Sequence, residues 1–225
     1  MRNITKRRDP MTDQSNRKLS IQTRVAQALH FVEAETGAVV PSIQPAATYA
    51  RDENYEVRKP YWYRRDGSQT TAHAEAVIAE MEGATESLLF ASGMSACTTV
   101  IEHLPTGSHI VAPKVMYHGV LAQIQNYATN GRVTVSYYTA GNLDELASAV
   151  AAQPTTLVWV ETPNNPNWEV TDIQAVSDIA HAAGAKLIAG SCKSFLCALH
   201  HAINSDVFSQ FGTWSIGRLS LIESA

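Results

Sequence analysis

Four short stretches carry residue types that can do chemistry. ASGMSA (91–96) places Ala91, Ser92 and Gly93 just before a helix that begins near Met94. A small-residue turn at a helix N-terminus offers unpaired N–H groups and the positive end of the helix dipole, so it can hold a phosphate. Tyr117, in PKVMYHGV (113–120), stands at the start of another helix, where a flat ring could stack on a flat ligand. ETPNNP (161–166) joins an acid, Glu161, to the amides of Asn164 and Asn165, with Pro163 and Pro166 stiffening the turn. FGTWSIG (211–217) sets Trp214 among small and polar residues. That indole either fills a gap or stands where another side chain would have reacted. Taken singly, the first three also read as a tight turn, a half-buried core tyrosine and a plain Pro/Asn loop.

The elements that must position these residues follow from periodicity. Ala74, Val77, Ile78 and Met81 share one helical face, and Gly83 follows as a stop. Helices are also expected over 94–104, 118–130, 142–152 and 172–184, the third opening on Asn142 with Glu145 in a capping-box-like start. Short apolar or alternating strands are expected at 86–90, 108–112, 132–138, 155–161 and 185–190. Alternating strands and helices imply right-handed crossovers and a mostly parallel sheet covered on both faces. Ligands of such sheets bind beyond the carboxyl ends of the strands, which is where Ser92, Tyr117 and Asn165 fall.

The bulk numbers narrow the class. In 225 residues, 45% are apolar, enough for a substantial core, and the net charge of −4 gives no reason to expect a nucleic-acid partner. Three cysteines do not make a disulfide framework, so a reducing, cytoplasmic setting is expected. No apolar run reaches the ~18 residues that span a membrane. The basic, polar start reads as a loose arm. Cys192, Cys197, His200 and His201 loosely resemble a zinc spacing, but they read as an incidental cluster, so no metal site is expected. No G-x-G-x-x-G opens a helix, which disfavours a dinucleotide site. His103 and His109 are expected to flank a turn, and Trp62, Trp159 and Trp168 to be packing residues.

Together, ASGMSA, Tyr117 and WVETPNNPNWEVTDI resemble the Cys/Met-metabolism family of pyridoxal-phosphate enzymes, the trans-sulfuration enzymes. TGAVVPSIQPAATYA (36–50) resembles the family's entry segment. YRRDGSQT (63–70) is similar to its Y-S-R-x-x-N-P-T segment, with Ser68 and Gln69 in place of Asn and Pro. The resemblance implies the large domain of a fold-type I enzyme, an α/β fold with a mostly parallel sheet and flanking helices. Residues 1–50 would be an arm and oligomerisation segment and 51–225 a partial cofactor-binding domain, without the small C-terminal domain. It implies pyridoxal 5'-phosphate, cradled by the backbone of Ser92, Gly93 and Met94 and by Thr213. Tyr117 would stack on the ring and Asn165 lie near its 3-oxygen. Tyr63 and Arg65 would reach the phosphate of a neighbouring subunit in a homo-oligomer. The substrate would be a small sulfur amino acid, in cystathionine-type C–S bond formation or cleavage.

Two departures follow from the same resemblance. The family's aspartate, which pairs the pyridine nitrogen, falls at Gly190 in LIAGSC (187–192). Its lysine, which attaches to the cofactor aldehyde, falls at Trp214 in QFGTWSIGRLSL (210–221), and no lysine follows Lys193. Glycine pairs nothing and indole forms no imine, so impaired catalysis is expected. The alternative is a non-catalytic fragment that binds cofactor or partner subunits. Lys193 and Lys114 are the surrogate amines to consider.

Overall fold

The central strands of this chain are apolar on both faces because helices cover both. A computed structural model describes residues 19–58, 61–191, 211–214 and 218–222, the last two segments and Ser191 by their backbone alone. The chain forms two compact units, Met1–Pro41 and Ser42–Ala225. In the first, Ser20 caps α1 (Ile21–Ala26) by accepting from Thr23 N–H. Further on, the Glu33 carboxylate accepts from Thr36 N–H, Thr36 Oγ1–H and Glu35 N–H.

The second unit carries the rest. α2 (Gln69–Glu82) starts at the buried Ser68, whose hydroxyl accepts from Thr71 N–H, and ends at Gly83 with a left-handed φ of 63°. That turn favours glycine, which has no Cβ to clash. Then come β1 (Ser87–Leu88), α3 (Gly93–His103), β2 (Ser108–Pro113), α4 (His118–Thr129) and β3 (Val133–Tyr138). They are followed by α5 (Leu143–Ala151), β4 (Leu157–Glu161), α6 (Ile173–Ala182), β5 (Lys186–Ser191), β6 (Phe211–Trp214) and β7 (Arg218–Ile222). The seven strands form one sheet in the order β1-β6-β7-β5-β4-β2-β3. The expected parallel pairing holds for β1–β6, β2–β3, β2–β4 and β4–β5, while β7 runs antiparallel to both β5 and β6.

Alternation along each strand splits the core in two. Ile110, Leu157, Trp159 and Ile188 join Ile101 of α3 and Ile124 of α4 on one face. Val111, Val158, Val160 and Leu187 join Leu146 of α5 and Val176 of α6 on the other. Each such side chain contributes roughly 1.5–3 kcal/mol when fully buried.

One polar detail differs from the sequence reading. Asn142 does cap α5 through Glu145 N–H, but the Glu145 carboxylate turns away, to Thr139 N–H (2.8 Å) and the Lys114 ammonium. Asn142 N–H is already taken by Thr139 O, so no reciprocal box is needed. The Lys114 ammonium first, then Thr139, hold the Glu145 carboxyl down at about 2.

His109, just past the turn that follows His103 and within the expected strand, is a buried residue of β2. It is 3% exposed, with Nδ1 2.9 Å from Thr155 Oγ1 and Nε2 3.0 Å from Ser136 Oγ. Burial lowers its pKa below 6.5. The unfolded chain then binds the proton more readily than the native chain. Stability is full above about pH 6.5 and declines as pH falls towards the native value. The urea midpoint should therefore drop between pH 7.5 and 5.5, and His109→Gln should flatten that decline. Trp62 and Trp168, expected to pack, are 48% and 57% exposed, whereas Trp159 is core.

Candidate cofactor-binding site

A cavity of about 380 Å³ opens at the carboxyl ends of the strands. That is within the range of small-molecule sites. Ser92, Gly93 and Met94 line it from the α3 N-terminus. Ser92 is the N-cap, and its hydroxyl accepts from Ser95 N–H at 3.1 Å. The N–H groups of Gly93 and Met94, at the first helical positions, have no acceptor inside the helix. They and the helix dipole suit an anion.

Tyr117 enters between β2 and α4 and is held at two points. Its N–H donates to Glu161 Oε2 at 2.6 Å. Its ring folds back over Gly119 and lies 4.8 Å from the His118 ring centroid, tilted by 59°. A Cβ on Gly119 would stand only 2.8 Å from Tyr117 Cε1 and 3.1 Å from Met94 Sδ. Gly119→Ala should therefore push the Tyr117 ring out of place and weaken pyridoxal phosphate binding by about tenfold, read as a rise in Kd with little change in urea midpoint. An unchanged Kd would show that the ring is not what holds the ligand.

Glu161 ends β4 and is 3% exposed. Sequence reading noted this acid without giving it a role. The structure shows it tying the end of β4 to the start of α4. The signal was there in the strand-terminal E of ETPNNP, but the partner lies 44 residues away in the chain. The two asparagines part company. Asn164 is fully buried and committed to Glu169, donating to its Oε2 (2.8 Å) and accepting from its N–H (3.0 Å). Asn165 lines the cavity. Gly190, in register with Glu161 on β5, lines it too.

Tyr63 and Arg65 are not among the cavity-lining residues. They pair with each other, Arg65 Nη2 donating to Tyr63 Oη at 3.2 Å with the guanidinium 5.1 Å from the ring centroid. Tyr63 borders a separate hollow with Arg51, Tyr55 and Trp62. Thr213 and Trp214 lie on β6, their backbones in register with Ser87 and Leu88 of β1. Lys193, Cys192, Cys197, His200 and His201 lie outside the described residues. Lys114 is paired with Glu145 and is not part of the cavity wall. Among the described residues no three His, Cys, Asp or Glu side chains group as metal ligands, and no helix is long and apolar enough to cross a membrane.

An open α/β domain with a helix N-terminus and an aromatic ring lining a cavity at its strand ends has the geometry that suits a planar, phosphorylated ligand. The pattern of the Cys/Met metabolism PLP-dependent enzymes matches residues 22–199. The chain is 34% identical over 178 residues to cystathionine gamma-lyase of Dictyostelium discoideum and 32% identical over 171 residues to cystathionine beta-lyase of Coxiella burnetii. These alignments cover 79% and 76% of this chain but 45% and 44% of those proteins, so it spans less than half their length. Cystathionine gamma-lyase from Lactobacillus plantarum superposes with a TM-score of 0.74 at 25% identity, over 92% of this chain and 55% of that one. The chain belongs to the Cys/Met metabolism family of pyridoxal-phosphate-dependent enzymes, whose cofactor is pyridoxal 5'-phosphate.

The cavity suits that cofactor at the cradle, at the Tyr117 ring and at the Asn165 amide. It supplies no carboxylate at Gly190, although space for a side chain exists there: an added Cβ would meet Val160 O at 3.6 Å and Trp159 Nε1 at 3.9 Å.

Proposed function

We propose that this chain is the cofactor-binding portion of a trans-sulfuration-type protein of sulfur amino-acid metabolism, related to enzymes that make or break C–S bonds in cystathionine-type substrates, and that its own catalysis is impaired. The observation carrying this reading is the cavity itself, with Ser92–Met94, Tyr117 and Asn165 around it and a bare Gly190 at the end of β5. When bound, the cofactor supplies an electron sink for a substrate carbanion. The chain's residues supply the rest. The α3 N-terminus holds the phosphate, Tyr117 orients the ring, and Asn165 offers an amide to the ring oxygen. Tyr63 and Arg65 serve the phosphate site of a second copy in a homo-oligomer. Losing the amine that moves protons costs about 10²–10⁴ in rate by itself. Gly190 and Trp214 together also favour a second reading, a non-catalytic chain that binds cofactor or a partner subunit.

Borohydride reduction after incubation with pyridoxal phosphate tests this. Saturable binding without a stoichiometric covalent adduct is the expected outcome. An adduct mapped to one native lysine would show a surrogate amine and restore the case for catalysis. Lys114 is a poor candidate because its ammonium is engaged by Glu145 and Thr139.

A further inference from the structure

The wall formed by the carboxyl-side halves of β4 and β5 presents three groups to the cavity: Trp159, Glu161 and Gly190. Their hydrogen-bonding capacities differ. Gly190 has no side chain. Glu161 is an acceptor, but its Oε2 is held by Tyr117 N–H at 2.6 Å, on the side of α4. Trp159 carries an indole N–H, which can only donate. Its Nε1 lies 3.9 Å from the place where a Cβ on residue 190 would sit, so it borders the volume that an acidic side chain would otherwise occupy. The indole is also held in place. Its side chain is 2% exposed within the core, and its backbone carbonyl accepts from Tyr138 Oη–H at 3.2 Å.

An acceptor beside a pyridine nitrogen favours its protonated form, and a donor beside it favours the unprotonated form. We infer that Trp159 Nε1–H, exposed to this volume by the glycine at position 190, is the group that meets the ring nitrogen of a bound pyridoxal phosphate and keeps it unprotonated. This rests on the cofactor-binding reading above. It assigns Trp159 a binding role for which its place in the core gives no hint. It also adds a reason for weak catalysis apart from the missing amine, because a neutral ring withdraws electrons poorly. The cavity's carboxyl group, Glu161, is the competing partner, and its phenol and thiol, Tyr117 and Cys97, line other walls.

The test uses the full chain and pyridoxal 5'-phosphate labelled with ¹⁵N in the ring, followed by NMR between about pH 6 and 8. The expected signal of the bound ligand is that of an unprotonated pyridine throughout this range. Gly190→Asp should move it to the pyridinium position. Trp159→Phe, which keeps an aromatic ring but removes the N–H, should raise Kd about fivefold, the effect of one neutral hydrogen bond. A pyridinium signal in the unaltered chain would overturn the inference. If that signal disappears in Glu161→Gln, the carboxylate is the partner instead. An unchanged Kd in Trp159→Phe would overturn it as well. No saturable binding by the unaltered chain would instead overturn the cofactor-binding reading, and this inference with it.

Discussion

Trp214→Lys alone is expected to turn a chain with no borohydride-fixed adduct into one carrying about one equivalent at that position. The backbone register argues for it. β6 lies parallel to β1, with Trp214 beside Leu88 at the end of both strands, and the chain leaving β1 runs directly into the Ser92–Met94 cradle. An amine on a long flexible stem, placed at the carboxyl end of β6, starts from the same sheet edge as the cofactor site. Peptide mapping of the reduced protein reads the site of attachment directly. Turnover should remain poor until Gly190→Asp is added, because the ring would still lack an acidic partner. Retained cofactor binding with no adduct at position 214 would mean that the family's lysine does not correspond to Trp214.

Trp159→Ala should cost about 3–5 kcal/mol, the usual range for removing a buried indole. Few single changes in this chain should cost more, since a domain is typically stable by only about 5–15 kcal/mol. Trp159, in the middle of β4, belongs to the cluster built from α3, α4 and the sheet and also lines the strand-end cavity, so its loss opens a void in that wall. The urea midpoint should fall by about 2 M at ordinary slopes for a domain of this size. Tyr138→Phe removes only the bond to Trp159 O and should cost about 0.5–1.5 kcal/mol, measured in the same way. A fall below about 0.5 M for Trp159→Ala would show that neighbouring side chains collapse into the space.

Trp159 and Glu161 also show why part of the site was legible in the sequence and part was not. The strand LVWVE and the turn after it could be located by composition alone, as could the ASGMSA turn and the helix that begins at Tyr117. Side-chain period and turn chemistry are local properties, written within a dozen residues. The ends of α2, α3 and α6 carry Ser68, Ser92 and Asp172 as caps, in keeping with the same local logic. Gly190 and Trp214 were visible as departures because a motif states which residue type belongs at each place.

Tertiary structure decided the rest, because it depends on which distant segments become neighbours. Nothing local says that β6 inserts beside β1, or that β7 returns antiparallel against β5 and β6. His109 could be placed in its strand next to a turn, but its burial against Thr155 and Ser136 came only from the pairing with β3 and the approach of Thr155. Asn164 and Asn165 look alike in sequence, yet Glu169 takes one and the cavity takes the other. Lys114 looked like an available amine until α5 brought Glu145 to it. The sequence by itself pointed to residues that could bind a phosphorylated ring and to Gly190 and Trp214 as the places where the family resemblance expects an acid and an amine. Packing across the sheet decided which side chains are spent on each other and which remain facing the cavity, because a hydrogen bond or ion pair depends on distance in space and not on separation along the chain.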